Sequence, residues 1–132
     1  MRPEPCDADV ILDVVFDRGL LFLVVENIGD CAAHRVRIKF DKPFSGVGGP
    51  KRIDRLALFR RLEFLAPRKS IEVFLDRSAA YFERGEPTKL NAAISWRTSA
   101  GERRRVTIVH DLEIYRDLGY IEREVPPSGR PA

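Results

Sequence analysis

The sequence predicts an all-β protein, folded as one antiparallel β-sandwich of about seven to eight strands, with one short helical turn near residues 78–84. Three observations predict this class. Polar and apolar residues alternate in several segments, turn residues recur about every ten positions, and no long segment has the 3.6-residue period of a helix. With 132 residues and 44% hydrophobic content, the chain can bury the core of one domain. A closed barrel is the alternative architecture.

The first two strands, residues 8–16 and 20–26, are joined by an Arg18-Gly19 turn, where glycine accepts the positive φ of a tight hairpin. Pairing across this turn joins residues whose numbers sum to 37. Because alternate residues of a strand face the same side, this pairing predicts one inward apolar row. The row contains Leu12, Val14, Phe16, Leu21, Leu23 and Val25.

The third strand, residues 33–40, alternates strictly between polar and apolar residues. The residues expected to face the core are Val36, Ile38 and Phe40, and those expected to face outward are Arg35, Arg37 and Lys39. Residues 43–50 contain three glycines and two prolines, which predict a flexible loop. For residues 53–65 we expect a short strand or an irregular crossover.

A further half-buried strand is predicted at residues 69–76, with Ile71, Val73 and Leu75 inward. Ser78 is expected to cap the helical turn that follows it, and Gly85 to end that turn.

The last two strands are predicted at residues 88–97 and 103–114, as a hairpin around Ser99-Ala100-Gly101. The inward residues of the first of these strands are Leu90, Ala92, Ile94 and Trp96. Residues 123–132 contain three prolines and little apolar surface, so we expect a disordered tail after a sandwich domain of residues 1–122.

Short motifs resemble a known family. Residues 23–30, followed by Ala33, Val36 and Ile38, resemble the first half of bacterial and archaeal CARDB-type immunoglobulin-like domains, and residues 65–67 resemble their midpoint. Further features are the asparagine-glycine turn after the second strand, Asp41 with Pro43, residues 64–67, Tyr81-Phe82 and a strand at Asp111-Leu112. Through these features, over residues 8–121, the chain is also similar to small uncharacterised bacterial proteins in which this module often follows a membrane-spanning helix. The resemblance implies an immunoglobulin-like interaction or adhesion module, membrane-tethered in its full-length form, and it assigns no reaction.

The composition indicates the compartment. No apolar stretch reaches the ~20 residues that cross a bilayer, and no signal segment opens the chain, so we expect the chain as given to be cytoplasmic. In a reducing cytosol, Cys6 and Cys31 are expected to be free thiols. A disulfide is the alternative, because the hairpin register places the two cysteines near each other at one end of the sandwich.

Two features of the sequence are candidates for a chemical site. Residues 46–51 faintly suggest a phosphate loop, but Pro50 removes a backbone amide and no helix follows, so an ordinary loop is the better interpretation. His34 and His110 both have inward parity on their strands and lack converging further ligands. We interpret them as hydrogen-bonded histidines near strand ends.

The carboxylates Asp9, Asp13 and Asp17 alternate along the first strand. Calcium sites usually gather oxygen ligands on a loop, so we interpret this row as a solvated face. The sequence therefore predicts no metal, no cofactor and no catalytic residue.

Charge is distributed unevenly. Residues 1–33 hold two basic and seven acidic side chains, whereas residues 34–70 hold eleven and three. In an immunoglobulin-like strand order the third strand and the last two share a sheet, and their outward cations then form one surface. This basic sheet face consists of Arg35, Arg37, Lys39, Lys89, Arg97, Arg103 and Arg105. It lacks outward aromatics, which favours an acidic membrane surface or acidic protein over nucleic acid, and a merely solvated surface is the alternative.

The opposite sheet presents apolar side chains on its outer side. This apolar sheet face consists of Ile11, Val15, Leu20, Phe22, Val24 and Phe74. Such a patch usually marks a contact surface. We predict that two copies associate through it around a two-fold axis, and the alternative is that residues 114–121 fold back over it. The overall expectation is a non-catalytic interaction or adhesion module, with an anion-binding module second and an enzyme third.

Overall fold

The computed structural model of the protein describes residues 6–118 and confirms the predicted all-β sandwich. Within these residues the chain forms nine strands and two short helices. The strands are β1 (Val10–Asp17), β2 (Leu20–Asn27), β3 (Ala33–Phe40), β4 (Ser45–Gly46), β5 (Lys51–Arg52), β6 (Leu62–Leu65), β7 (Ser70–Arg77), β8 (Lys89–Arg97) and β9 (Arg103–Asp111). The helices are α1 (Ala57–Arg61) and α2 (Ser78–Glu83), and 3-10 turns span Ile53–Arg55 and Leu112–Tyr115.

The strands form two packed antiparallel sheets. One has the order β1-β2-β7, the other has the order β6-β3-β8-β9, and β4 and β5 form a separate small hairpin. The inward apolar rows of both sheets share one buried core. The predicted neighbourhood of β3, β8 and β9 is therefore confirmed, with β6 added beside β3.

The first hairpin has the predicted register. Arg18 and Gly19 both have positive φ, 52° and 82°, as a two-residue turn between twisted strands requires. Leu12 pairs with Val25 and Val14 pairs with Leu23, and all four side chains are buried. The inward row predicted from the sequence is thus confirmed.

A β-bulge interrupts β3. The pairing with β8 shifts between His34 and Arg37, and Arg35 has a φ of 52°. The extra residue reverses the side-chain parity before it, so His34 lies on the outer side of the sheet, against the exposed ring of Phe64. The predicted inward orientation of His34 is therefore wrong, while Val36 and Ile38 are buried as expected.

The crossover at residues 53–65 is mostly helical. A 3-10 turn and α1 bury Ile53 and Phe59 in the core, and only the last four residues form a strand, β6. The preceding loop is also more ordered than predicted, because Ser45–Gly46 pairs with Lys51–Arg52. Ile53 and Phe59 are too irregularly spaced for sequence periodicity to show that they are buried.

Two predicted boundaries differ from the structure. The N-cap of α2 is Arg77 without a side-chain capping bond, and Ser78 is the buried first residue of the helix. The last strand ends at Asp111 rather than residue 114, since the side chain of Asp111 accepts a bond from the amide of Glu113 and starts a 3-10 turn. The predicted tail, residues 123–132, lies outside the described residues.

The end of β2 is tied to the N-terminal segment by Asn27 and by a disulfide. Asn27 is fully buried, and its Oδ1 accepts the amides of Asp9 and Gly29 at 3.0 Å each. Cys6 and Cys31, which the register places opposite each other, form a disulfide with Cα atoms 5.4 Å apart. The expectation of free thiols was wrong, and the alternative that the hairpin register offered is correct, because the register brings the two residues within bonding distance.

Candidate anion-binding surface

The strand register places the predicted cations on one side of the four-stranded sheet. Arg37 pairs with Ser95, which pairs with Arg105, and Arg97 pairs with Arg103. Since paired residues share a face, these side chains line the outer side of β3, β8 and β9. Lys39 and Lys89 lie on the same side, opposite Ala93 and Asp111 respectively.

The basic sheet face contains acids that the sequence did not place there. Glu63 of β6 receives a 2.8 Å bond from Arg37 and lies 3.9 Å from Arg35. The hydrogen bond from Arg37 lowers the pKa of Glu63, so this carboxylate stays ionised and offsets part of the positive charge. The sequence analysis assigned only cations to this face, and it missed Glu63 because β6 was not recognised as a neighbour of β3.

A depression of about 220 Å³ opens in this face beside the β3 bulge. It is lined by Arg35, Arg37, Ser95, Trp96, Arg97 and Arg103. Guanidinium groups donate paired hydrogen bonds to carboxylate or phosphate oxygens, so four arginines around one depression can hold an oxyanion. Arg97 also donates to the carbonyl of Gly101 at 3.2 Å, which orients its head group.

A larger groove, of about 600 Å³, lies between β3 and the crossover, and we call it the β3 groove. It is lined by Arg37, Ile38, Lys39, Phe40, Asp41, Lys42, Pro43, Arg52, Asp54, Arg55, Phe59 and Arg60. Arg37 lines both depressions, so basic side chains continue from one to the other. Sequence reasoning missed the groove, and the only signal was the excess of basic residues between positions 34 and 70.

One ion pair in the groove is structural. Arg52 binds Asp54 through two bonds, of 2.9 and 3.0 Å, and Asp54 also accepts the amide of Phe44 at 3.1 Å. The bond from Arg52 lowers the pKa of Asp54, and the bond to Asp54 raises the pKa of Arg52. This pair fixes the start of the crossover.

The glycine-rich segment around residue 48 is occupied by the protein's own carboxylate. The amide of Gly48 donates to Asp76, which is buried and also binds Arg84 at 2.7 Å. Arg84 continues to Glu86 at 3.1 Å and to the carbonyl of Ser45 at 2.9 Å. This network, which sequence reasoning missed, holds the loop against β7. Because the Gly48 amide already donates to Asp76, it is not available to bind a phosphate group.

The histidines and the acidic row show no site either. The Nε2 of His110 lies 2.7 Å from the carbonyl oxygen of Leu12, a hydrogen bond between the two sheets. Asp9, Asp13 and Asp17 are exposed. Across residues 6–118, no group of three or more histidine, cysteine or acidic side chains is placed to hold a metal ion.

The apolar sheet face has the predicted composition and an acidic surround. Phe22 pairs with Phe74, their rings meet edge to face at 5.7 Å, and Phe74 is 37% exposed. The register places the remaining predicted residues Ile11, Val15, Leu20 and Val24 on the same side. The same side also carries Asp13, Asp17, Glu26 and Glu72.

The described part of the C-terminal segment covers another region. Tyr115 stacks on Phe16 with ring centroids 5.8 Å apart, and its hydroxyl donates to the carbonyl of Val14 at 3.4 Å. It therefore lies along the β1 edge, and Ile114 and Leu118 remain exposed. Tyr120 and Ile121, which the predicted tail cover also used, lie outside the described residues.

Within residues 6–118 the longest helix has six residues, and none has the length and hydropathy to cross a bilayer. A family model described as "Domain of unknown function (DUF8453)" matches residues 2–116. No curated protein and no solved structure matches the chain.

Proposed function

The chain belongs to the family described as a domain of unknown function (DUF8453), and we propose that it is a non-catalytic interaction module that binds an anionic partner through its basic sheet face. One observation carries this proposal. Cations from β3, β8 and β9 share a single sheet surface and surround a depression lined by four arginines. Concentrated positive charge attracts anionic partners and accelerates their association.

Acidic protein or an anionic membrane surface fits this face better than single-stranded nucleic acid. Platforms for single strands stack successive bases on several exposed aromatic rings. The basic sheet face has one such ring, Phe64, which is 56% exposed beside His34, while Trp96 is buried in the core. Electrostatic attraction without a row of stacking rings is typical of a protein or membrane contact.

The resemblance to CARDB-type modules supports an interaction role, and the similar bacterial proteins support a membrane tether in the full-length form. The Cys6–Cys31 disulfide adds to this, since disulfides persist mainly in oxidising compartments outside the cytosol. We therefore favour a tethered, exported location over the cytoplasmic one expected from the chain as given.

Retention on immobilised heparin, with elution by salt, tests the proposal. The variant Lys39→Glu, Arg103→Glu, Arg105→Glu changes three exposed cations of the face that have no ion pair within residues 6–118. Arg37 is left unchanged because it donates to the carbonyls of Val36 and Leu62. We expect the variant to elute at much lower salt, because each lost contact removes counterion release.

The matched control is Arg68→Glu, Lys69→Glu, Arg77→Glu, which changes the net charge equally at exposed positions beside the other sheet. It should elute close to the wild type. If both variants elute alike, retention reflects net charge alone and the proposed face has no special role.

A further inference from the structure

We propose that the β3 groove is a binding site for a compact phosphate-bearing anion, either a free phosphorylated molecule or a lipid headgroup. This inference rests on the proposed function, since it names a specific ligand class for the basic surface. It adds residues of the crossover that the predicted basic sheet face does not include.

Four exposed cations surround the groove. Lys39 and Lys42 lie on the β3 side, and Arg55 and Arg60 lie on the crossover side. All four are exposed, and none forms an ion pair within residues 6–118. Charges from two separate segments therefore face the same space, and among the described residues only Lys42 has an acidic neighbour whose pKa it lowers, Asp41.

The two acids that line the groove are engaged elsewhere. Asp54 is held by Arg52, as described above. Asp41 accepts the side-chain amide of Asn91 at 2.7 Å and its backbone amide at 3.2 Å. The side-chain bond from Asn91 lowers the pKa of Asp41, and the charge of Lys42 lowers it further. Within residues 6–118 neither carboxylate forms a direct ion pair with any of the four cations.

The edge of β3 adds backbone donors. Asp41 donates its amide to the carbonyl of Asn91, and backbone bonds in an antiparallel ladder alternate, so the backbone groups of Ile38 and Phe40 point away from β8. On that side the pairing with β6 ends at Val36. The Ile38 and Phe40 amides therefore lack a strand partner, and both residues line the groove.

Phosphate matches this combination of size and charge. A volume of about 600 Å³ lies within the usual range for small-molecule sites, ~300–1,000 Å³. A phosphate group carries about −1.5 to −2 charges and three strong acceptor oxygens. Two such groups balance the four cations within one small ligand, whereas carboxylates would need four groups for the same charge. The half-buried ring of Phe40 and the ring of Pro43 give the ligand an apolar contact.

Calorimetric titration with tripolyphosphate tests the soluble form of the ligand, and co-sedimentation with phosphatidylcholine vesicles containing phosphatidic acid tests the headgroup form. The groove variant is Lys42→Gln, Arg55→Gln. The control is Lys89→Gln, Arg105→Gln, which removes the same charge from the basic sheet face outside the groove. Circular dichroism checks that each variant is folded.

We expect wild-type binding in at least one of the two assays, a loss of affinity of about tenfold or more in the groove variant, and a change of about twofold or less in the control. Binding only to tripolyphosphate indicates a soluble ligand, and binding only to vesicles indicates a headgroup. No wild-type binding in either assay, or equal losses in both variants, would overturn the proposal. Equal affinity for poly-glutamate would also overturn it and assign the groove to an acidic protein.

The two proposals fail separately. If heparin retention depends on the basic sheet face while tripolyphosphate and vesicles do not bind, the groove proposal fails and the proposed function stands. If the substitutions in the basic sheet face leave heparin retention unchanged but the groove variant alone loses phosphate binding, the groove proposal stands. The proposed function, in which an anionic partner binds the basic sheet face, is then wrong.

Discussion

At the scale of single residues, one buried asparagine organises an end of the sandwich. The side chain of Asn27 accepts two backbone amides and donates to the carbonyls of Cys31, Leu65 and Ala66 at 2.8, 3.2 and 3.3 Å. It thereby joins β1, β2 and the end of β6. Gly29 is required beside it, because a Cβ there would overlap the backbone of Asp7 and Asp9.

Asn27→Ala should destabilise the domain by about 3 kcal/mol or more, because several buried backbone groups lose their partner together. Urea denaturation measures the change. Asn91→Ala is the matched control, since its side-chain bond to Asp41 is exposed, and it should cost about 1 kcal/mol or less. Equal costs for the two variants would contradict the central role of Asn27.

Trp96 is 5% exposed, and its Nε1 has no hydrogen-bond partner within residues 6–118. Trp96→Ala should therefore cost about 3 to 5 kcal/mol through the cavity that it leaves. Trp96→Phe should cost clearly less, because it keeps an aromatic ring and removes an unsatisfied polar atom. An unchanged melting temperature for Trp96→Ala would refute the buried position.

At the scale of elements, an ion-pair network ties the β4–β5 hairpin to β7 and to the segment after α2. Arg84, after α2, bridges Asp76 of β7, Glu86 and the carbonyl of Ser45. Although burial opposes it, the bonds to Asp76 and Glu86 raise the pKa of Arg84, so the network stays charged. Three separate elements therefore meet at one guanidinium.

Arg84→Met should destabilise the domain by about 3 to 5 kcal/mol, because it leaves the buried Asp76 carboxylate without its cation. Adding Asp76→Asn removes that stranded charge, so the double variant should lose about 1 to 3 kcal/mol less than the sum of the single variants. Denaturant unfolding of the wild type, the two single variants and the double variant gives the coupling free energy between Arg84 and Asp76. Additive losses would show that the ion pair does not hold the hairpin.

The disulfide joins the segment before β1 to the loop after β2, across 25 positions of sequence. Replacing both cysteines by serine should cost about 2 to 4 kcal/mol, mainly by relaxing the unfolded chain. Reductant should lower the stability of the wild type by a similar amount and leave the double variant unaffected. Two titratable thiols in the denatured, unreduced protein would contradict the bridge.

At the scale of the whole molecule, the two outer surfaces differ in charge. The four-stranded sheet presents the basic sheet face, whereas the three-stranded sheet surrounds the apolar sheet face with carboxylates. A two-fold dimer through the apolar sheet face would bring these carboxylates close to their copies. Their repulsion is screened by salt.

We therefore predict that self-association through the apolar sheet face strengthens as salt is added, and that Phe22→Glu gives a folded monomer. Sedimentation at several salt concentrations measures both effects. Phe64→Glu, on the opposite sheet, is the control and should leave the dimer intact. A dimer that dissociates with salt would instead indicate contact between the basic and acidic surfaces.

A wild type that stays monomeric at high micromolar concentration and at every salt concentration would exclude this association. Aggregation after deletion of residues 119–132, which keeps the contact of Tyr115 with Phe16, would then support the alternative, in which the C-terminal segment covers the face.

The sequence alone determined the six long strands, β1, β2, β3, β7, β8 and β9, because alternation of polarity is a local property of each segment. It also determined the register of the first hairpin and the inward row of β8, since a short turn leaves one pairing between its flanking strands. The placement of seven cations on one face followed from parity and strand order.

The tertiary structure decided the features that depend on segments distant in sequence. The bulge at Arg35, the arrival of Glu63 and Phe64 beside β3, and the β3 groove all arise where the crossover packs against the sheet. The ion pair between Asp76 and Arg84 arises where α2 returns past β7. No local pattern encodes such contacts, because they are selected by the packing of the whole core, and a single bulge is enough to reverse the orientation of the residues before it.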